Sequence, residues 1–228
     1  MNKSIIITGA NSGIGLECVK QFCESFNDKL IVALSRNTHN LQQLPYSNMQ
    51  MHNCDVTNFK QLKKLIDTVV EEYQICCVIN CAGTSYNGDF CDIDNTKIRQ
   101  MIDVNIQGLT NTVEIILPHM RIQKLGTIIN ISSLADRYPR PNSAVYGASK
   151  AYVKSLSDSL RVSEAKYNVR ICNISPAIID TPLLASLGKN QNHIIAVSDF
   201  VNVIKFIYQQ PQSVCIRDMV IAPTNYEG

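Results

Sequence analysis

Tyr146 and Lys150 stand four residues apart in a stretch, 144–166, whose pattern predicts a helix. Residues at that spacing share one helix face. A free tyrosine has a pKa of about 10 and is a poor proton donor near neutrality. An ammonium beside it favours the phenolate and lowers that value. A Tyr and a Lys four apart are common on helices, so the pair gains meaning only from its company. The second chemical stretch is Thr8-Gly9-Ala10-Asn11-Ser12-Gly13-Ile14-Gly15, between a short apolar run and a helical pattern. Glycines allow a tight turn and a close backbone approach to a pyrophosphate. The helix that follows directs free N–H groups and its positive dipole end at phosphates.

These groups need a frame, and the chain supplies one by alternation. Apolar runs at 4–8, 30–35, 49–55, 75–80, 127–132, 169–175 and 214–222 read as strands. Between them, 14–26, 58–73, 94–123, 144–166 and 198–209 read as helices, with Thr57 and Ser198 as N-caps and a bend near Gly108 or Pro118 in the longest. The pattern is βαβαβ twice over plus a strand. It predicts an α/β fold, a Rossmann-type doubly wound parallel sheet of about seven strands with helices on both faces. With 228 residues, 45% apolar and 18% charged, the chain suits one domain. Ligands then belong beyond the carboxyl ends of the strands.

What stands at those ends is informative. The first strand ends in the glycine turn, the second in Ser35-Arg36-Asn37, and the third in Asp55-Val56. The fourth ends in Asn80-Cys81-Ala82-Gly83, the fifth in Ser132-Ser133, and the sixth leads into Pro176-Ala177-Ile178 with Thr181 beyond. In these motifs the chain resembles the short-chain dehydrogenase/reductase family from residue 4 to about 181. The matches are T-G-x3-G-x-G at 8–15, N-x-A-G at 80–83, Asn105 after Val104, Ser133 thirteen residues before Tyr146, and Y-x3-K at 146–150.

The resemblance implies strand order 3-2-1-4-5-6-7 and a hydride-transfer enzyme. By resemblance, Tyr146 is the general acid/base, Ser133 donates to the substrate oxygen, and Lys150 bonds the nicotinamide ribose. Asn105 holds a water that connects Lys150 to solvent. Gly9, Asn11, Ser12, Gly13, Ile14 and Gly15 are the phosphate turn. Asp55 meets the adenine amino group with Val56 beside it. Asn80, Ala82 and Gly83 floor the adenosine side. Pro176, Ala177 and Ile178 border the nicotinamide, whose carboxamide Thr181 bonds. NAD-binding members carry an acidic residue at the end of the second strand. Here Ser35 stands there, followed by Arg36 and Asn37. Arg can bind a 2′-phosphate that a carboxylate would repel, so the cofactor expected is NADP(H) rather than NAD(H).

Three positions depart from the family pattern: Cys81 for the second Asn of N-N-A-G, Ala177 for the Gly of P-G, and Asp136 three residues after Ser133. Asp136, Arg137, Tyr138 and Arg140 are expected to colour a polar substrate mouth. The substrate loops are 134–143 and 183–197, the second with Leu183, Leu184, Leu187 and Ile194 as a small apolar lid. The expected activity is reduction of a small or medium carbonyl, or the reverse oxidation. The compact chain and Ser35-Arg36-Asn37 look like the sepiapterin-reductase/benzil-reductase type. The alternatives are a 3-oxoacyl-carrier-protein reductase, docking its carrier on Arg121, Arg137 and Arg140, and a cofactor-binding regulatory paralogue without turnover.

A net charge of +2 with scattered basic residues gives no case for nucleic acid or anionic membrane. No apolar run reaches the roughly 18 residues of a membrane span. Nine cysteines without a C-x-x-C pair, and four histidines that do not cluster with them, argue for reduced thiols rather than a metal site. Met1-Asn2-Lys3 leads straight into a strand, so a cytoplasmic protein without a leader is expected. Resemblance implies a homodimer or homotetramer through the helices at 94–123 and 144–166, for which Ile115, Ile116, Val153 and Leu156 offer apolar surface.

Overall fold

The computed structural model describes residues 1–186 and 194–226. Seven parallel strands form one sheet in the order β3-β2-β1-β4-β5-β6-β7. They are β1 (Asn2–Thr8), β2 (Lys29–Ser35), β3 (Met49–Asn53), β4 (Tyr73–Asn80), β5 (Gly126–Ile131), β6 (Val169–Pro176) and β7 (Asp218–Ile221). The helices are α1 (Gly13–Ser25), α2 (Phe59–Glu72), α3 (Asn95–Ile102), α4 (Leu109–Gln123), α5 (Ala144–Glu164), α6 (Pro182–Ser186) and α7 (Val197–Gln209).

Alternation along each strand feeds two cores. Ile5, Ile7, Ile31 and Ala33 face α1 and α7, where they meet Phe22 and Phe200. Ile6, Val32 and Leu34 face α2, α4 and α5. A sheet buried on both sides needs such near-continuous apolar strands. The strand order reverses between β2-β1 and β1-β4, which opens a crevice above the carboxyl ends of β1 and β4.

Four local expectations are corrected. The α2 cap is Asn58, not Thr57: the Asn58 side chain accepts from the Gln61 N–H, while Thr57 is held by Asp55 Oδ1. The α7 cap is Ala196 rather than Ser198, because the Ile179–Ile195 bridge sets where the chain enters the helix. The last strand covers only Asp218–Ile221, and 214–217 is not part of it. Arg170 collects the carbonyls of Tyr208, Gln210, Pro211 and Val214, which draws that segment into a turn. Residues 94–123 are not one regular helix: α3 passes through a wider π segment, Asp103–Gly108, before α4. At its end Gly108 meets Val56, where an added Cβ would lie 2.6 Å from Val56 Cγ2.

The side chains expected to offer an oligomer surface are turned inward. Ile115, Ile116 and Val153 are buried in the second core and Leu156 packs on it. No helix among the described residues is long and apolar enough to cross a membrane.

Candidate active site

The glycine turn is held by close contacts. Gly9 has φ of 65°, and a Cβ on it would lie 2.8 Å from the Ala82 backbone at the end of β4. A Cβ on Gly15 would lie 2.3 Å from the Gly9 carbonyl oxygen. Gly13 has φ of 51° and faces Thr181. These positions need glycine to bring β1, β4 and α1 together. Asn11 supports the turn: its Oδ1 accepts from Asn40 N–H at 2.9 Å, and its carbonyl accepts from Asn40 Nδ2. Ser12 is the N-cap of α1, makes no side-chain capping bond, and is exposed to the crevice.

Two adjoining cavities form the crevice, sharing Ile14, Cys81, Gly83, Thr84, Thr181 and Leu183. The first, of about 240 Å³, is lined by Gly9, Ser12, Gly13, Gly15, Ser35, Arg36, Asp55, Val56 and Ala82. Asp55 spends one carboxylate oxygen on Thr57. Asn37 Oδ1 accepts from His39 N–H, so Asn37 shapes the loop rather than lining the cavity. Asn80 is likewise turned away: its Nδ2 donates to Asn130 Oδ1 at 2.8 Å within the sheet. The uncapped N-terminus of α1, glycine backbone at the turn, and Arg36 with no acidic residue at the end of β2 fit a phosphate-rich dinucleotide.

The second cavity, of about 180 Å³, brings Ser133, Tyr146 and Lys150 together with Pro176, Ala177, Ile178 and Thr181. β5 ends just before Ser133, and α5 presents Tyr146 and Lys150 on one face. The choice between Ser132 and Ser133 is visible in their partners. Ser132 is buried and its Oγ donates to the Lys150 carbonyl; Ser133 Oγ lines the cavity and accepts from Ala135 N–H.

Burial draws the Lys150 pKa down to about 8, and its Nζ donates to the Ile131 carbonyl at 2.8 Å. Burial pushes the Tyr146 phenol up, against the lowering pull of the Ser133 hydroxyl and the Arg140 guanidinium. The expected lowering is therefore overturned: burial outweighs the pull of Ser133 and Arg140, and the phenol stands above its ordinary value. The ammonium stands over the Tyr146 ring, 5.8 Å from its centroid.

Asn105 lies in the π segment and is buried. Its Oδ1 accepts from Thr84 N–H at 2.8 Å, and its Nδ2 donates to the Thr84 carbonyl and to Ser149 Oγ. Its side chain thus clamps the loop that follows Gly83 against α5.

The expected substrate mouth is only partly there. Asp136 and Arg137 turn into a buried network, with Arg137 donating to Asp136, Ser175 and Asp218, and Asn173 donating to Asp218. Tyr138 is exposed and outside the cavity lining. Arg140 does line it. Leu183 and Leu184 line it too, while Leu187 lies outside the described residues and Ile194 is exposed. Arg121 is held by a bidentate pair to Glu164 on the far side of the sheet from the glycine turn's helix. One contact escaped the sequence: the Tyr226 hydroxyl is bonded to Arg140 from 86 residues away. No local pattern announces it.

Comparison with known proteins bears on the family and the fold. Residues 3–192 match the family described as short chain dehydrogenase. An uncharacterised oxidoreductase of Staphylococcus aureus is 30% identical over 227 residues, covering 97% of each chain. A solved structure of ElxO with NADP bound superposes with a TM-score of 0.87 at 25% identity, over 97% of both chains. One of 4-hydroxyisoleucine dehydrogenase complexed with NADH superposes at 0.88, also at 25% identity, over 100% of both.

Proposed function

The chain belongs to the short-chain dehydrogenase family and is an oxidoreductase that uses a nicotinamide cofactor; on that premise we propose that it is an NADPH-dependent reductase of small or medium carbonyl compounds. The observation that carries this reading is that Ser133, Tyr146 and Lys150 line one cavity that adjoins the glycine-turn cavity. When bound, the cofactor supplies hydride to the carbonyl carbon and is oxidised. Tyr146 gives the proton that the carbonyl oxygen needs to become an alcohol, a contribution worth roughly 10²–10⁴-fold. Ser133 orients that oxygen by hydrogen bonding. Lys150 contributes a cation over the Tyr146 ring and a donor toward the nucleotide, and Asn105 keeps the Thr84 segment against α5.

Arg36 favours the nucleotide with a 2′-phosphate. Of the three arginines expected to dock an acidic carrier, Arg121 and Arg137 are committed to Glu164, Asp136 and Asp218, which leaves Arg140 alone. That favours a free small molecule over a carrier-bound 3-oxoacyl chain. In this reading residues 1–228 are one nucleotide-binding domain with substrate loops at 134–143 and 183–197. A homodimer or homotetramer through α4 and α5 belongs to it, with Ile122 (82% exposed) and Val162 (78%) as the apolar side chains those helices present outward.

The test follows loss of NADPH absorbance over a panel of aldehydes, diketones, a pterin carbonyl and oxo acids. Wild type is expected to turn over at least one, and Tyr146→Phe to lose about 10³-fold or more in kcat while binding NADPH normally. Tight NADPH binding without turnover of any probe would favour the regulatory alternative.

A further inference from the structure

Arg140 is a charged group in the substrate cavity that the proton-transfer chemistry does not use. It lies on the loop between β5 and α5, half-buried, and lines the same cavity as Ser133 and Tyr146. It differs from most other arginines of the fold. Arg121, Arg137 and Arg161 each hold a carboxylate, and Arg170 spends its guanidinium on backbone carbonyls and Thr127. Among the described residues no carboxylate lies within 4.0 Å of Arg140, and no Asp or Glu lines the cavity. Its hydrogen-bond partner is a neutral phenol, the hydroxyl of Tyr226, whose ring centroid lies 5.9 Å from the guanidinium carbon.

Tyr226 reaches this point because the chain after β7 turns back, its N–H donating to the Pro223 carbonyl at 3.0 Å. The phenol fixes one edge of the guanidinium, and among the described residues no carboxylate compensates its charge. A half-buried cation without a counter-charge is costly. A planar guanidinium fork matches a carboxylate with two parallel hydrogen bonds. The influence of Arg140 on the Tyr146 phenol places that charge within electrostatic reach of the reacting oxygen.

We propose that the substrate carries a carboxylate as well as the reacting carbonyl, an oxo acid reduced to a hydroxy acid, and that Arg140 receives that carboxylate while Tyr226 positions Arg140. This rests on the reductase reading of the cleft. The other cation of the lining, Lys150, has its Nζ bonded to the Ile131 carbonyl. The remaining described lining, Thr84, Ser85, Asn87 and Ser143 with Leu183 and Leu184, is neutral, so Arg140 is the group placed to decide between an anionic substrate and its uncharged analogue.

The experiment uses acetoacetate and methyl acetoacetate, which differ by one charge, with NADPH. Wild type is expected to favour acetoacetate in kcat/KM. Arg140→Met is expected to lower the ratio of the two kcat/KM values by roughly 10- to 100-fold, the worth of hydrogen bonds to a charged group. Taking the ratio cancels any effect of Arg140 on Tyr146. Arg140→Lys should recover part of the ratio. Tyr226→Phe should raise KM for acetoacetate while leaving kcat within about threefold, which a purely structural tyrosine would not do. An unchanged ratio in Arg140→Met, or a wild type that prefers the ester, overturns the proposal and leaves the reductase reading standing. If no carbonyl probe turns over, the reductase reading fails. Calorimetric binding of 3-hydroxybutyrate with NADP+ present then judges Arg140 separately. Binding lost in Arg140→Met upholds the carboxylate seat, and no binding to wild type removes it.

Discussion

On the nucleotide side of the cleft the decisive groups are backbone. Gly9, Gly13 and Gly15 bring β1, α1 and the end of β4 into contact, and side chains such as Asn11 and Asn37 brace the loops. On the substrate side the decisive groups are side chains from separate segments: Ser133 after β5, Tyr146 and Lys150 on α5, Arg140 between them, and Tyr226 beyond β7. The first half is specified by what a backbone can do without a Cβ, which is a local property. The second is specified by which distant loops converge, which is not. Substitutions on the two sides should therefore fail differently. Damage to the nucleotide side should reach the fold, whereas damage to the substrate side should be confined to rate and selectivity.

The largest effect that would sharpen this contrast is in Gly15→Ala. The new methyl would meet the Gly9 carbonyl, a backbone atom that cannot swing aside. Overpacking of this kind costs about 1–3 kcal/mol. The expected result is a thermal midpoint lower by several degrees and NADPH binding weakened at least tenfold, read by calorimetry. Ordinary stability and affinity in that variant would break the comparison.

Arg36→Asp comes next. It lies on the nucleotide side, but it is exposed and lines the nucleotide cavity. The dissociation constant for NADPH should rise roughly 10- to 100-fold, with NADH unchanged or tighter and the melting point the same. A uniform loss for both nucleotides would remove Arg36 as the discriminating group.

The smallest effect concerns pH. Burial holds the Lys150 pKa near 8 in the folded chain, below the unfolded value of about 10.4. Its charge is present below pH 8 and lost above it, so NADPH affinity should fall a few-fold between pH 7 and 9, with no such slope in Lys150→Met. Linkage gives the opposite sign for stability. Between about pH 8 and 10.4 the unfolded chain binds more protons, so the cost of the buried charge is relieved as pH rises. Urea midpoints at pH 7.5 and 9.5, compared with Lys150→Met, measure it.

The sequence made the sheet legible because parallel strands buried on both faces are apolar nearly throughout, and their ends carry the nucleotide-side groups in chain order. The cavity residues Ser133, Tyr146 and Lys150 were legible because their order and spacing resemble the family's motifs. What failed was of two kinds. Element ends failed by a residue or more, as at Thr57 and Ser198, where a neighbour or a strand bridge decided the start. The roles of charged loop residues failed where a tertiary partner decided them. Asp136 and Arg137 read as surface colour because nothing in 134–143 reveals that Ser175 of β6 and Asp218 of β7 wait for them. Arg140 differs from Arg137 only in which partner it meets.

The π segment Asp103–Gly108 amounts to one residue more than an α-helix needs for the same advance. It is a phase slip. The stripe by which α3 faces its neighbours and the stripe by which α4 faces the sheet are offset by about 100°, so no single helical wheel describes 95–123. A one-residue deletion there would leave both flanks helical yet rotate one against the other. It would carry Met101 out of its buried position or swing Ile116 and Met120 out of theirs. The stretch that holds Asn105 is thus also the joint that sets the angle between two apolar faces, and its length is as much a part of the site as any side chain it bears.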